Sequence, residues 1–338
     1  MTGAVVAIAG ATGAVGRVML EILDERQFPV GNLRLLASER SAGRPMATPW
    51  GEVVVEDLAV ADPAGIDIAL FSAGGSRSRE HAPRFAAAGA VVVDNSSAWR
   101  RDPAVPLVVA GVNDHAVAGH DGIISNPNCT TMVLMMAAAP LHRTAGLASM
   151  TATSYQSVSG SGQKGIEELV GQVDVLGKDP DALGTGTWSD PGGEVYPRPI
   201  GWNVIPFAGS AAEEGYTDEE WKLVHESRKI LEIPGLAVEP ACVRVPVLVG
   251  HGIAATMWFD RPMTVPEATA AIEAAPGVRV WNDRIPTPLD SAGRDDVLVG
   301  RVRATVGHPG GISLWAVGDN LRKGAALNAV QIAELVVA

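Results

Sequence analysis

The chain has 338 residues, 47% of them hydrophobic and 19% charged, with 38 glycines and 23 prolines, which is enough for about two domains with separate cores. Its formal charge of −12 disfavours nucleic acid and anionic membranes as partners. The two cysteines, Cys129 and Cys242, lie far apart and make neither a disulfide framework nor a zinc pattern, so free thiols in a reducing, cytoplasmic compartment and no metal are expected.

Near the start, residues 4–9 form a short continuous apolar run, the pattern of a strand buried on both faces of a parallel sheet. Val15, Val18, Met19, Ile22 and Leu23 then repeat at helical spacing until Pro29. Between the two lies a glycine turn. Further short strands are predicted over 33–37, 53–55, 68–71, 91–94 and 108–111, with a helix over 79–88. This alternation predicts a doubly wound, Rossmann-type α/β domain. No basic leader precedes the first apolar run, and the longest apolar run, 132–141, is about half of a bilayer crossing, so neither export nor a membrane span is expected.

After Cys129 the pattern changes. A helix over 130–139 is expected to stop at Pro140, and 148–158 alternates like a half-buried strand. Residues 171–199 are rich in Gly, Pro and Asp without a sustained period, and read as a long excursion, a candidate lid. A polar-faced helix over 217–230 follows, then two β-rich runs, 241–249 and 253–259, around the turn Gly250-His251-Gly252. These predict an α+β second domain with a mixed or antiparallel sheet. The Ala-rich segment 321–337 could return to the first domain. The expected division is 1–128 with 319–338 against 129–318.

Several residues carry chemistry. Gly10-Ala11-Thr12-Gly13-Ala14-Val15-Gly16 stands between a strand and a helix, where glycines let a pyrophosphate approach the backbone and the helix N-terminus offers N–H donors. The spacing departs from G-x-G-x-x-G, so a tight structural turn is the competing reading. After the second strand comes Ser38-Glu39-Arg40-Ser41: Arg40 with flanking hydroxyls suits the 2′-phosphate of NADP, whereas an inward Glu39 would suit NAD. NADP is the favoured expectation. Cys129 opens a helix, where a thiolate is stabilised, although a cysteine among apolar residues is as often inert packing. The amide of Asn128 could donate to an oxyanion beside the sulfur. His251 on its glycine-flanked turn is a candidate proton acceptor, and Arg244 a planar clamp for a carboxylate.

Together these residues resemble aspartate-semialdehyde dehydrogenase. The segments that carry the resemblance are GATGAVG at 10–16, SERSAG at 38–43, DNSSAWR at 94–100, SNPNCTT at 125–131, SYQSVSGSG at 154–162, RVPVLVGH at 244–251 and DNLRKGAALN at 319–328. They follow the family's order through nearly the whole chain. The resemblance implies reversible, NADPH-dependent reduction of L-4-aspartyl phosphate to L-aspartate 4-semialdehyde and inorganic phosphate, on the path to lysine, threonine, methionine and diaminopimelate. It assigns Cys129 as nucleophile and His251 as acid/base, Gln156 and Arg244 to substrate orientation and carboxylate binding, and Glu219 to the substrate ammonium. Lys222, Arg100 and Asn128 fall to phosphate. Cofactor contacts are implied for Gly10, Thr12, Gly13, Ala14, Val15, Gly16, Ser38, Arg40, Ser41, Ser72, Ala73, Gly74, Ser159, Gly160 and Asn320. A homodimer, or a tetramer built from dimers, is expected.

Two places depart from the family pattern: Phe207-Ala208-Gly209 stands where a polar residue and Ile-Asp are common, and Gly252 where serine is common. The alternatives are N-acetyl-γ-glutamyl-phosphate reductase, which needs room for an acetylated amine, and a nonenzymatic dinucleotide-binding paralogue. Cys242 is given no role.

Overall fold

In a computed structural model, residues 3–337 are described, and they divide into two compact units. The first contains the described residues up to Met136, His225–Pro234 and the residues from Leu321 onward; the second contains Ala137–Val224 and Gly235–Asn320. Cys129 thus falls in the first unit, whereas the sequence division placed it in the second.

The first unit is built on a seven-stranded sheet. In chain order its strands are β1 (Ala4–Ala9), β2 (Val30–Ala37), β3 (Pro45–Thr48), β4 (Gly51–Asp57), β5 (Ile68–Phe71), β6 (Val91–Asp94) and β7 (Ile123–Ser125), arranged β3-β4-β2-β1-β5-β6-β7. All neighbours are parallel except β3 and β4. The strand order reverses at β1, which makes the ends of β1, β2 and β5 the place where such a sheet receives a ligand. Helix α1 (Ala14–Glu25) buries Met19, Ile22 and Leu23 against β1, β2 and the C-terminal helix, as its periodicity predicts. Helix α2 (Gly75–Ala87) covers the other face, with Phe85 edge-on to Phe71.

The segment 108–111 is not a strand. It is buried, but its backbone bonds run to the side chains of Asn113, Asp114 and Asn328 and to Ser125, leaving only a bridge between Leu107 and Ser125. Helix α3 (Cys129–Ala145) runs through Pro140. Residues 132–139 and Leu141 are almost wholly buried, and this all-round apolar packing outweighs the lost N–H of the proline.

The second unit carries a six-stranded mixed sheet of β8 (Leu147–Gln156), β9 (Ala237–Arg244), β10 (His251–Phe259), β11 (Val278–Trp281), β12 (Val297–Ala304) and β13 (Ile312–Gly318), in the order β11-β12-β13-β10-β8-β9. β8 and β9 are parallel, whereas β10 is antiparallel to both β8 and β13. The two β-rich runs expected on either side of a turn at His251 are not neighbours in the sheet, because β8 lies between them. His251 is the first residue of β10 rather than part of a turn, and Gly250 before it takes φ +96°. Helix α4 (Gln163–Leu176) reaches into the segment read as an aperiodic excursion, and α5 (Pro180–Thr185) follows. The remainder is tied down by α4: Glu168 accepts from the backbone N–H groups of Glu194 and Val195, each at 2.8 Å, and Gln172 Oε1 from that of Ile200 at 2.7 Å.

Helix α6 (Asp218–Ile230) supplies residues to both units. Short helices α7 (Val265–Glu273) and α8 (Pro288–Ser291) flank the second sheet, and the chain ends in a π turn over Arg322–Ala326 and α9 (Leu327–Val337), whose apolar side joins the core of the first unit.

Candidate active site

The glycine loop lies at the end of β1 in the first unit. Gly10 has φ +92°, and a Cβ there would stand 2.3 Å from the carbonyl oxygen of Ser72; one on Gly16 would stand 2.4 Å from that of Gly10. No residue with a side chain fits either place. Gly13 precedes α1 without a side-chain cap, so the first-turn N–H groups of Ala14, Val15 and Gly16 face outward from the helix end as donors for an anion. Ser72, Ala73 and Gly74 follow β5, with Gly74 at φ +88°, and Ser38, exposed Arg40 and Ser41 follow β2. This is a cradle that fits a dinucleotide pyrophosphate, with Thr12 on its exposed turn. Arg17, one turn into α1, reaches back to the carbonyl of Thr12 at 3.5 Å, a basic residue at the loop that the sequence reading passed over.

The same unit positions Cys129 at the first turn of α3. Asn128 caps the helix: its Oδ1 accepts from the backbone N–H of Thr130 at 3.0 Å and of Thr131 at 3.4 Å. The thiol is half-buried at the positive end of the helix dipole. Arg100 is buried, and its guanidinium donates to the carbonyls of Asn126 and Asn95, each at 2.9 Å, and to Glu226 Oε1 at 3.2 Å. A guanidinium has five N–H groups, so three such bonds leave capacity for an anion.

Glu226 was not singled out from the sequence. It is 2% exposed, and besides Arg100 it accepts the backbone N–H of Asn128 at 2.6 Å. Its place after Glu219 and Lys222, at the three- and four-residue steps of one helix face, was the available signal. Lys229, one turn further, donates to the carbonyls of Arg100, Asp102 and Val105 at 2.6 to 3.1 Å and so fixes the segment carrying Arg100.

In the second unit the sheet topology gathers a second group. β8 and β9 run parallel and end together at Gln156 and Arg244, which pair in register; antiparallel β10 begins at that end with His251, opposite Gly318 of β13. Asn320 follows two residues later. Arg244 is buried; its Nη1 donates to the Ser157 carbonyl at 2.7 Å, its guanidinium stands 5.8 Å from the Tyr196 ring centroid, and its Nε has no partner among the described residues. Gln156 Nε2 donates to Glu219 at 3.2 Å, and Lys222 bonds both Glu219 and Asp218 at 2.7 Å. Burial would raise the Glu219 carboxyl, but the Lys222 ammonium, the Gln156 amide and Arg244 outweigh it and hold it down to about 2. It is therefore a carboxylate at any working pH.

His251 is fully buried. Burial first, then the nearby Arg244 charge, pull its pKa down to about 3. Ser159 and Asn320, expected at the cofactor, have their side chains bonded to each other at 2.9 Å. Gly160 lies beside His251 and Arg244. A methyl group there would be 3.2 Å from Arg244 Nη1 and 3.4 Å from His251 Nε2. Gly252 is explained by its neighbour, since a Cβ would sit 2.2 Å from the Trp315 ring. At the other departure, Gly209 takes φ +86° and its Cβ would strike Asp218. Burial pushes the Cys242 thiol up to about 12, which removes it as a nucleophile.

A semialdehyde dehydrogenase NAD binding domain matches residues 5–120, and a semialdehyde dehydrogenase dimerisation domain matches 138–323. The aspartate-semialdehyde dehydrogenase of Streptomyces akiyoshiensis is 53% identical over 340 residues, covering 98% of each chain. The chain belongs to the aspartate-semialdehyde dehydrogenase family. The crystal structure of aspartate semialdehyde dehydrogenase II from Vibrio cholerae superposes with a TM-score of 0.93 at 44% identity, covering 99% of this chain and 98% of that one. The same Vibrio enzyme complexed with ASA gives 0.93 at 43% identity, with coverage of 100% and 99%. The family explains both units at once: the first is its NAD(P)-binding domain and the second its dimerisation domain. Among the described residues no helix is long and apolar enough to cross a membrane.

Proposed function

We propose that the protein interconverts L-4-aspartyl phosphate and L-aspartate 4-semialdehyde with NADP(H), releasing or consuming inorganic phosphate, as a cytoplasmic homodimer or a tetramer of dimers. The observation that carries the substrate is that the second unit contains both a buried guanidinium, Arg244, and a carboxylate, Glu219, that Lys222 and Gln156 favour in its ionised form. An α-amino acid presents the matching charges, a carboxylate and an ammonium. An acetylated amine has no positive charge for Glu219, which disfavours N-acetyl-γ-glutamyl-phosphate as substrate.

Cys129 is the nucleophile in this reading. Its sulfur adds to the carbonyl carbon of the acyl phosphate, the carbon–oxygen bond to phosphate breaks, and phosphate leaves with the electron pair, so that a thioester remains. The roles proposed for other residues are oxyanion stabilisation for Asn128, acid/base catalysis for His251, and phosphate binding for Arg100 and for Lys222. Gly10 to Gly16 would hold the pyrophosphate of a nicotinamide dinucleotide and Arg40 would read a 2′-phosphate; when bound, the cofactor would supply the hydride in this direction and accept it in the other. Expulsion of the sulfur then frees the aldehyde. The thioester must be shielded from water, or hydrolysis would replace exchange with phosphate.

The test is the absorbance of NADPH formed from NADP⁺ and aspartate semialdehyde, with and without phosphate. Reduction that depends on phosphate is expected. Activity only on N-acetylglutamate semialdehyde would favour the other reductase, and dinucleotide binding with no oxidation of either aldehyde the nonenzymatic paralogue.

A further inference from the structure

Resting on the reading above, in which Arg100 meets phosphate, we infer that Asn328 of α9 and Asn126, just before the cysteine helix, are positioning residues that set the Arg100 guanidinium for the anion. All the residues concerned belong to the first unit. Two main-chain carbonyls hold Arg100: that of Asn126 accepts from Nε and that of Asn95 from Nη2, each at 2.9 Å. With Nη1 on Glu226, the five N–H groups of the guanidinium leave one on each terminal nitrogen. Where those two point depends on where the carbonyls stand. The side chains of the same two residues are bonded to each other, Asn126 Nδ2 to Asn95 Oδ1 at 2.6 Å, so an amide pair joins the two sides of the clamp.

The direction of these amides is dictated by the main chain of 108–110. Asn328 Oδ1 accepts the Ala110 N–H, and its Nδ2 donates to the Val108 carbonyl, both at 2.9 Å. An N–H only donates and a carbonyl only accepts, so the buried amide of Asn328 has one orientation. Its second Nδ2 hydrogen goes to Asn126 Oδ1 at 2.6 Å, which turns Asn126 Nδ2 toward Asn95 and toward the Ala325 carbonyl at 3.1 Å. Asn126 is buried as well, and it cannot turn over, because its oxygen would then meet that carbonyl. Main-chain groups of Val108 and Ala110 that a strand would give to a neighbour go to the C-terminal segment instead. Lys323 anchors that segment without setting the direction: its Nζ donates to the Ala110 carbonyl at 2.9 Å, Asn328 Oδ1 at 3.1 Å and Gln331 at 2.8 Å.

Two substitutions break this chain at different points. Asn328→Asp keeps the shape and both accepted bonds but replaces the donor by an oxygen, which faces Asn126 Oδ1 with no hydrogen between them. Since Ala325 blocks the turn that would relieve the contact, Asn126 has to shift, and it carries the carbonyl that holds Arg100. In Asn126→Ala the carbonyl stays and only its tie to Asn95 is lost.

The experiment is steady-state oxidation of the semialdehyde at varied inorganic phosphate, for the wild type, Asn328→Asp, Asn126→Ala, the double variant and Lys323→Met, with Tm recorded for each. The KM for phosphate should rise about 3- to 10-fold in each of the first two variants, the worth of one neutral hydrogen bond. The kcat should stay within about twofold, as should the KM for the semialdehyde, whose proposed ligands Arg244 and Glu219 belong to the second unit. The double variant should be no worse than the worse single one, because both changes act through Asn126. Lys323→Met should lower Tm yet leave the phosphate KM within about twofold, since the Ala110 N–H still directs Asn328. An unchanged phosphate KM in Asn328→Asp or Asn126→Ala, or losses that multiply in the double variant, overturns the inference. So does a rise in Lys323→Met equal to that in Asn328→Asp, which would assign the effect to packing of the C-terminal segment. Should Asn328→Asp not fold, Asn126→Ala decides alone. Failure of the proposed reaction shows separately, as a wild type that oxidises no semialdehyde. The inference is then read from phosphorus NMR titration of the resting proteins with inorganic phosphate: weaker binding by both variants is expected, and equal binding, or none by the wild type, overturns it.

Discussion

Glu226 accepts the backbone N–H of Asn128 at 2.6 Å while its other oxygen pairs with Arg100, so one buried carboxylate holds both an expected phosphate ligand and the peptide preceding Cys129, the proposed nucleophile. Both partners need it. Glu226→Ala should lower stability by about 3–5 kcal/mol, because it leaves the Arg100 charge buried without its counter-ion. Denaturant unfolding measures this, and a loss below about 1 kcal/mol, the range of an exposed pair, would contradict the assigned role. Alkylation of Cys129 should also slow in the variant as the entry to α3 shifts.

Cys129→Ser should reduce turnover by at least ~10³-fold, since the alcohol is a poor nucleophile without a dedicated base. Dinucleotide affinity, read by NADPH fluorescence, should stay within about twofold, because the loop at Gly10 is untouched. Substantial residual turnover would argue against a covalent route.

Arg244→Lys should raise KM for the semialdehyde by about 10- to 100-fold, the worth of a hydrogen bond to a charged group, and change kcat less. A point charge cannot reproduce the planar fork. Steady-state kinetics decide the matter, and an unchanged KM would move the substrate carboxylate elsewhere.

Arg40 is exposed after β2, where the ribose edge of a dinucleotide is expected. Arg40→Ala should weaken NADPH binding about tenfold and NADH binding little, as loss of one charge-assisted contact would. Titration with both cofactors tests it; equal losses would mean that Arg40 does not read the 2′-phosphate.

Acid should destabilise the fold through two groups in the second unit. The unfolded chain protonates His251 near its ordinary 6.5, the folded chain only at about 3, so the folded state loses ground as pH falls through that window. The difference is on the order of 5 kcal/mol across the full window. Glu219, held down to about 2 from 4.5, stabilises the fold above the upper value and loses that contribution as pH falls toward the lower. His251→Gln should therefore flatten the fall of Tm between about pH 6.5 and pH 4. The same slope in both proteins would place the acid sensitivity elsewhere.

Much of the first unit was legible because its strands are short apolar runs: β1, β5 and β6 occupy the predicted positions, and the glycine loop lies between β1 and α1. Where apolar runs misled, tertiary context decided. Residues 108–110 are as buried as a strand, but Val109 and Ala110 bond to side chains instead, and α3 continues past Pro140 because it is packed on every side. His251 looked like a turn residue beside two glycines, yet the bends fall before it, at Leu248 and Val249, Gly250 takes φ +96°, and His251 starts β10. Cys129, Gln156, Arg244 and Glu219 could be named from motifs. Glu226 could not, since a glutamate on a polar helix reads as solvated.

The contact between Gly252 and the Trp315 ring joins two positions on neighbouring strands into one unit of inheritance. A side chain at the first position requires a smaller or differently placed ring at the second. Serine introduced at 252 alone would meet the ring, whereas reducing the ring at 315 alone leaves space there instead of a clash.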